Sequence, residues 1–264
     1  MNKKRACVIG TNVSKSLSPL IFNYWFKKYN IDAEYFYKEI EEKNFKKEIK
    51  KLFKEEDLCG FNVTIPFKEK IIQYLDSIDK HSKIIGAVNC ISKSEKIVEG
   101  TNTDWTGFGE CIKHIKKKEG AVVIGYGGSS KAVIYSLLSM GFKKVRVFNR
   151  SYEKIKNLKD IIPHKLQELE DYFYKEDIII NTIPKSFDYD FGDINLKNLP
   201  SPKESVYGFD LVYNYPTSFL KYITKSKRIF GIEMLAQQAA PCFYKWFGII
   251  PEIDINLIKK LKEQ

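Results

Sequence analysis

Ala121-Val122-Val123-Ile124-Gly125-Tyr126-Gly127-Gly128-Ser129-Ser130-Lys131 is the stretch on which the reading of this chain turns. Four consecutive apolar residues with no polar alternation suit a strand buried on both faces. The run passes straight into glycines, after which Lys131–Ser139 has helical character and Gly141 closes the helix. Val145–Phe148 is the next apolar segment, and Asp177–Ile180 and Val206–Leu211 read as further strands of the same sheet. Glycines placed between a buried strand and a helix let the chain turn tightly. They also let backbone N–H groups approach a pyrophosphate at the positive helix N-terminus. Ser130 stands at the third glycine position of Gly-x-Gly-x-x-Gly, although Gly128 is adjacent and Ala132 is small enough for close packing. The pattern predicts a Rossmann-type unit that binds a dinucleotide through Gly125, Gly127, Gly128 and Ser129.

The end of the second strand narrows the choice of dinucleotide. NAD-binding units usually carry an acid there, which accepts from the ribose 2′-OH. Here the strand runs into Asn149-Arg150-Ser151, with Lys154 a turn later. Two cations and a hydroxyl suit a 2′-phosphate, which a guanidinium can hold through two parallel hydrogen bonds. NADP is the expected cofactor.

Upstream, short apolar strands alternate with helices. Ala6–Ile9, Glu34–Glu39 and Gly60–Thr64 read as strands, and Pro19–Tyr29, Asn44–Phe53 and Pro66–Leu75 as helices. That order implies parallel pairing through crossover helices. Lys68 then falls in the first turn of a helix, at the positive end of its dipole, a local conflict that hints at function or at a partner carboxylate. Asp104 lies in the glycine-punctuated segment Gly100–Phe108. A Lys–Asp couple suits carbonyl reduction, because each group fixes the other's charge and both can aim at one hydroxyl. Sequence alone does not bring the two together. Downstream, Gly231–Phe247 reads as one long helix.

Bulk properties bound the remaining readings. The chain has 264 residues, is 44% hydrophobic and carries a net charge of +11. Its lysines alternate with acids at helical spacings, so the charge reads as solvated helix faces rather than a nucleic-acid surface. No apolar stretch approaches the roughly 18–20 residues needed to cross a bilayer, and the N-terminal apolar segment is too short for a secretory signal. A cytoplasmic protein is expected. The five cysteines are scattered and suit reduced thiols, with Cys59 and Cys90 as small buried hydrophobes. The three histidines show no ligand spacing and read as surface residues, and no metal is expected. Tyr24, Trp25, Phe26, Trp246 and Phe247 read as packing residues.

Seven short motifs, taken in order, resemble the shikimate dehydrogenase family. They are Ser14–Pro19, Asn62–Lys68, Gly86–Asn89, Asn102–Gly107, Gly125–Gly128, Asn149–Ser151 and Met234–Ala239, and the resemblance that they carry covers essentially the whole chain. The resemblance implies an α/β protein of two domains. One is a mostly parallel substrate domain of residues 1–104 plus 233–264, to which the C-terminal helices return; the other is a Rossmann-type NADP-binding domain of residues 105–232. It implies NADP-dependent interconversion of 3-dehydroshikimate and shikimate, on a small-molecule substrate, by a monomer or homodimer. By the same resemblance, Lys68 and Asp104 form the catalytic pair, Ser16 and Ser18 bind the substrate carboxylate, and Thr64, Asn89, Asp104 and Gln238 contact ring hydroxyls. Gly231 joins the glycine-loop residues, Asn149, Arg150, Ser151 and Lys154 on the cofactor. Three departures stand out. Thr182-Ile183-Pro184 replaces the family's Ala-Thr-Pro. The Tyr213–Leu220 loop is one residue shorter, which leaves Tyr213 or Tyr215 as the active-site tyrosine, with Tyr213 preferred. Pro241 is expected to kink the helix that carries Gln238. The alternatives are a quinate/shikimate dehydrogenase using NAD, which would carry an acid after Arg150, and a non-catalytic NADP-binding protein lacking Lys68 or Asp104.

Overall fold

The computed structural model describes residues 3–94, 96–155, 159–184, 199, 203–213 and 219–264. The chain divides into two compact units, Met1–Gly107 with Leu235–Gln264, and Phe108–Met234.

In the first unit β1 (Lys4–Gly10) precedes α1 (Ser18–Lys28) and β2 (Ala33–Glu39). Pro19 lies in the first turn of α1, where its missing N–H has no intrahelical partner to lose. The helix buries Ile21, Phe22, Trp25 and Phe26, a stripe at helical spacing. α2 (Phe45–Leu52) buries Phe45, Ile49 and Leu52 in the same way and leads to β3 (Leu58–Val63). β4 (Ser77–Ile78), α3 (Lys80–Ile85), β5 (Cys90–Lys93) and β6 (Val98–Thr101) follow, and then α4 (Asp104–Ile112), which belongs to this unit as far as Gly107.

The strand order is β2-β1-β3-β5-β6-β4. β1 pairs with β2 and β3, and β4 with β6, in parallel, whereas β5 runs antiparallel to both β3 and β6. The sheet is therefore mostly parallel, but not built from crossovers alone. A hairpin of β5 and β6 is inserted that the apolar pattern did not reveal.

The helix expected over Pro66–Leu75 is not formed as such. The Ile65–Pro66 peptide is cis, and only Lys70–Tyr74 winds, as a 3₁₀ turn. The Lys68 carbonyl, which a helix would offer to an amide four residues on, instead accepts from Val88 N–H at 2.8 Å. Lys68 therefore does not sit in a helical first turn, and the dipole conflict expected there does not arise.

The second unit holds β7 (Ala121–Ile124), α5 (Gly128–Ser139), β8 (Val145–Asn149), β9 (Ile161–Lys165), α6 (Leu169–Tyr172), β10 (Ile178–Asn181), β11 (Tyr207–Asp210) and β12 (Arg228–Phe230). Its sheet is wholly parallel, in the order β12-β11-β10-β7-β8-β9. The first strand of the unit lies beside the fourth, so the winding reverses between β7 and β10, the doubly wound arrangement. The pleat sorts the apolar runs onto two faces. Ala121, Val123, Val145, Val147, Ile178 and Ile180 belong to one core, and Val122, Ile124, Phe148 and Ile179 to the other.

α5 starts at Gly128, three residues earlier than the sequence suggested, with Gly127 as its N-cap. His164 corrects the surface reading of the histidines. It is buried, its ring stacks on Phe148 at 4.7 Å, and it lies between Arg146 and Glu168. Arginine only donates, so His164 Nε2 accepts from Arg146 and Nδ1–H donates to Glu168.

α7 (Gly231–Phe247) and α8 (Ile255–Lys262) end the chain. From Leu235 onward they belong to the first unit, where Phe243 and Trp246 join Phe22, Trp25 and Tyr35 in an aromatic cluster. Trp25, Phe26 and Trp246 are buried as expected. Tyr24 is only half-buried, its hydroxyl donating to Asp254. Cys90 is fully buried, but Cys59 only in part.

Candidate functional site

In the first unit the buried end of the sheet converges on one ion pair. Lys68 Nζ lies 2.6 Å from Asp104 Oδ2, and both residues are buried, at 8% and 5% exposure. The turn after β3 delivers Lys68, and the first residue of α4 is Asp104. A carboxylate in the first turn of a helix lies at the positive end of its dipole, which suits its charge. Asn102 Oδ1 accepts from the Asp104 amide at 3.0 Å, and Asn102 Nδ2 donates to Ala87 O, so the turn into α4 is fixed from within.

Asn89, just before β5, organises the other side of the carboxylate. Its Nδ2 donates to Asp104 Oδ1 at 2.7 Å and reaches Gln238 Oε1 at 3.2 Å. Its Oδ1 accepts from Thr103 N–H at 2.7 Å. A backbone amide can only donate, which fixes the orientation of the Asn89 side chain. Gln238 is held in turn by Nε2 donating to Leu235 O at 2.8 Å. The helix that carries it runs on through Pro241 to Phe247, so the interruption expected at Pro241 does not displace Gln238.

Beneath this group, Tyr35 donates to Asn62 Oδ1 at 2.7 Å, and Asn62 Nδ2 donates to Asn89 O at 3.0 Å. Burial pushes the Tyr35 phenol well above its ordinary range, which keeps it a neutral donor. Thr103 Oγ1 and Asn62 Nδ2 both lie against Cys242 Sγ. Asn62, Asn102 and Thr103 are candidate-site residues that the sequence reading does not single out. For Asn102 and Thr103 the signal is an unbroken polar run between β6 and α4, where side chains must satisfy backbone groups; Asn62, within β3 between Phe61 and Val63, carries no such local signal.

Lys68, Asn89, Asp104 and Gln238 thus form one hydrogen-bonded group. Thr64 is half-buried at the end of β3, with its amide on Ile9 O and its carbonyl accepting from Phe67. Ser18 is buried at the start of α1, and Ser16 Oγ accepts from the Ser18 amide at 3.3 Å. Tyr213 lies in the second unit and is half-buried. Tyr215, and the Lys185–Phe187 part of the divergent loop, fall outside the described residues.

In the second unit, the glycine loop lies at the switch point. Gly125 has φ +104°, and a Cβ there would stand 2.6 Å from Thr182 Oγ1, so this position requires glycine. Gly127 is different: a Cβ there would meet no protein atom within 4 Å. Its bare backbone borders open space beside the first turn of α5, which is the room a phosphate group needs. Gly231 sits against the end of β11, where a Cβ would come within 2.4 Å of Leu211 O. After β8, Asn149 Nδ2 donates to Ser151 O, and Lys154 N–H to the same carbonyl. One short turn therefore carries Asn149, exposed Arg150, Ser151 and exposed Lys154. These residues fit a dinucleotide with a 2′-phosphate. Among the described residues, no group of three His, Cys, Asp or Glu side chains could hold a metal ion.

Residues 8–91 match the model of the shikimate dehydrogenase substrate binding domain, and residues 110–211 that of shikimate/quinate 5-dehydrogenase. A protein of Caldicellulosiruptor saccharolyticus named shikimate dehydrogenase (NADP(+)) is 35% identical, over 98% of each chain. The crystal structure of shikimate dehydrogenase from Aquifex aeolicus superposes with TM-score 0.82 at 30% identity, over 99% of this chain and 98% of that one. The Thermus thermophilus enzyme, solved in complex with NADP(H) and shikimate, gives TM-score 0.80 at 26% identity, over 98% of each chain. With both halves matched in order and a relative of this identity along nearly its full length, the chain belongs to the shikimate dehydrogenase family.

Proposed function

We propose that this chain catalyses the reversible, NADP-dependent reduction of 3-dehydroshikimate to shikimate. The observation that carries the reading is the buried Lys68–Asp104 pair, braced by Asn89 and Gln238. When bound, the reduced nicotinamide supplies a hydride to the C3 carbonyl carbon. Lys68 donates a proton to the C3 oxygen as charge develops there, and Asp104 holds the ammonium in place. In the reverse direction the same pair takes the proton from the hydroxyl. Asn89 occupies the far oxygen of Asp104, so the carboxylate cannot rotate away from the lysine.

Thr64, Asn89, Asp104 and Gln238 contact the ring hydroxyls, Ser16 and Ser18 take the substrate carboxylate, and Tyr213 is the active-site tyrosine. The substrate unit comprises the first residues and the C-terminal helices, and the nucleotide unit the segment between. Gly125, Gly127, Gly128 and Ser129 receive the pyrophosphate, Arg150, Ser151 and Lys154 with Asn149 the adenosine 2′-phosphate, and Gly231 joins them on the cofactor. The enzyme acts in the cytoplasm on a small molecule, as a monomer or homodimer, with neither nucleic acid nor membrane as partner. No helix among the described residues is long and apolar enough to cross a membrane.

The test follows reduced-nicotinamide absorbance with shikimate or quinate and NADP or NAD, using wild type and Lys68→Ala. Oxidation of shikimate with NADP, reduced about 10²–10⁴-fold in the variant, is expected. Turnover chiefly of quinate with NAD would move the chain to the other branch of the family. NADP binding without turnover on any pair would leave a binding protein on this fold.

A further inference from the structure

At the third position of the glycine motif, where close helix–strand approach favours glycine, this chain places Ser130. Its side chain is buried, so its hydroxyl must find partners. Two are present. The Gly127 amide donates to Ser130 Oγ at 3.2 Å, and Ser130 Oγ lies 2.5 Å from Thr182 Oγ1. Thr182 Oγ1 in turn lies 2.6 Å from Ile124 O.

The direction of each bond follows from elementary donor rules. A carbonyl only accepts, so the one Thr182 proton goes to Ile124 O. Thr182 must then accept from Ser130, and Ser130 accepts from the Gly127 amide. The result is a one-way relay from the loop amide through two hydroxyls to the last residue of β7. It spans the switch point, joining the glycine loop to the chain that leaves β10. Thr182 is also one of the positions where this chain departs from its family's usual pattern, which has alanine there.

We propose that Thr182 is a positioning residue for the dinucleotide, acting through Ser130 to fix the glycine loop. The assignment rests on the reading of that loop as the NADP site. With the relay intact, Ser130 cannot turn its proton elsewhere, and the Gly127 peptide plane is held in one orientation. The remaining first-turn amides of α5 are thereby aimed before the dinucleotide arrives, so less ordering remains for binding. Replacing the threonine by valine keeps the volume but strands the Ser130 proton in a buried site.

The experiment compares wild type, Thr182→Val and Thr182→Ser as full-length enzymes. It measures the dissociation constant for NADP+, KM for NADP+ and for shikimate, kcat and the thermal midpoint. Thr182→Val is expected to weaken NADP+ binding and raise its KM about 10-fold, the scale of one stranded buried hydroxyl. KM for shikimate should stay unchanged and kcat should fall less than threefold, while Thr182→Ser restores NADP+ affinity. A lowered melting midpoint with unaltered NADP+ affinity would overturn the assignment, leaving a merely structural hydroxyl. So would equal losses for NADP+ and shikimate, or a Thr182→Ser variant no better than the valine. If wild type itself binds no NADP+ in a direct assay, the cofactor reading fails, and that result is separate from any difference among the variants.

Discussion

Lys68 and Asp104 are each the condition of the other's charge. An isolated ammonium or carboxylate at their depth would lose its hydration without compensation, and removing one partner of such a pair typically costs about 3–5 kcal/mol. Two consequences separate chemistry from stability. Asp104→Asn should lower kcat by at least about 10²-fold and destabilise the protein by a few kcal/mol, read from denaturant unfolding. The double variant Lys68→Met with Asp104→Leu should recover much of that stability, since well-packed apolar replacements of buried pairs are often neutral, while remaining inactive. A double variant less stable than Asp104→Asn would mean that the pair itself holds the fold. At this scale the sequence was least informative. The two residues lie 36 positions apart, and nothing in their spacing says that they meet at 2.6 Å. Asn89 and Gln238 are 149 apart, and only the family resemblance singled them out. What the resemblance could not supply was Ser130–Thr182, because one of its members lies at a departure from the family pattern.

Elements were legible where a strong local rule operated. The β7–α5–β8 unit announced itself through an uninterrupted apolar run and glycines in the turn, and the register of β7 with β8 and β10 agrees. β9 and β12 are edge strands without an apolar run, the first carrying Pro163, His164 and Lys165 and the second only three residues long, so no local pattern marked them. The Pro66 helix was misread because a tertiary bond from Val88 claims the Lys68 carbonyl, and no local rule foresees that. α8 shows a local rule at work, with a pH consequence. Asp254 caps it by accepting from Leu257 N–H at 2.9 Å and also holds Lys28 and Tyr24 of α1. The Lys28 ammonium first, and then the Leu257 amide, hold its carboxyl at about 2. The folded value lies below the unfolded one of about 3.9, so the contribution is complete above about pH 4 and is lost as pH falls toward 2. Asp254→Asn keeps an acceptor for Leu257 N–H but removes the carboxylate charge beside Lys28, so it should lower stability at neutral pH by at most about 1 kcal/mol, the scale of a partly exposed ion pair. The variant should also show a weaker acid dependence between pH 4 and 2, measured by chemical denaturation across that window. Equal slopes for variant and wild type would assign the acid sensitivity to other carboxylates.

The whole chain is arranged so that the two units differ in how they depend on sequence continuity. Phe108–Met234 is one uninterrupted stretch with a core on each face of its sheet, and the first of those cores takes in Phe108, Ile112 and Met234 at its very ends. The other unit is completed only by Leu235–Gln264. Trp246 Nε1 donates to Ile91 O, and a Cβ at Gly60 would stand 2.2 Å from the same indole, so β3 is shaped to receive that ring. Phe243 packs edge-on to Trp25 at 5.2 Å, and Gln238 supplies the acceptor for Asn89. Without these the aromatic face of α1 and the polar group around Asp104 would both be incomplete. A fragment of residues 108–234 is thus expected to unfold cooperatively on its own. Saturating NADP at about 100 times its dissociation constant should stabilise it by about 2.7 kcal/mol. A fragment of residues 1–107 should show no cooperative unfolding until residues 235–264 are supplied, as a separate peptide or joined in a circular permutant. If 1–107 melts cooperatively alone, the C-terminal helices are an accessory to that unit rather than part of its core. If 108–234 fails to fold while the intact chain does, the nucleotide unit depends on more than its own two cores, and NADP affinity can then be measured only in the full protein.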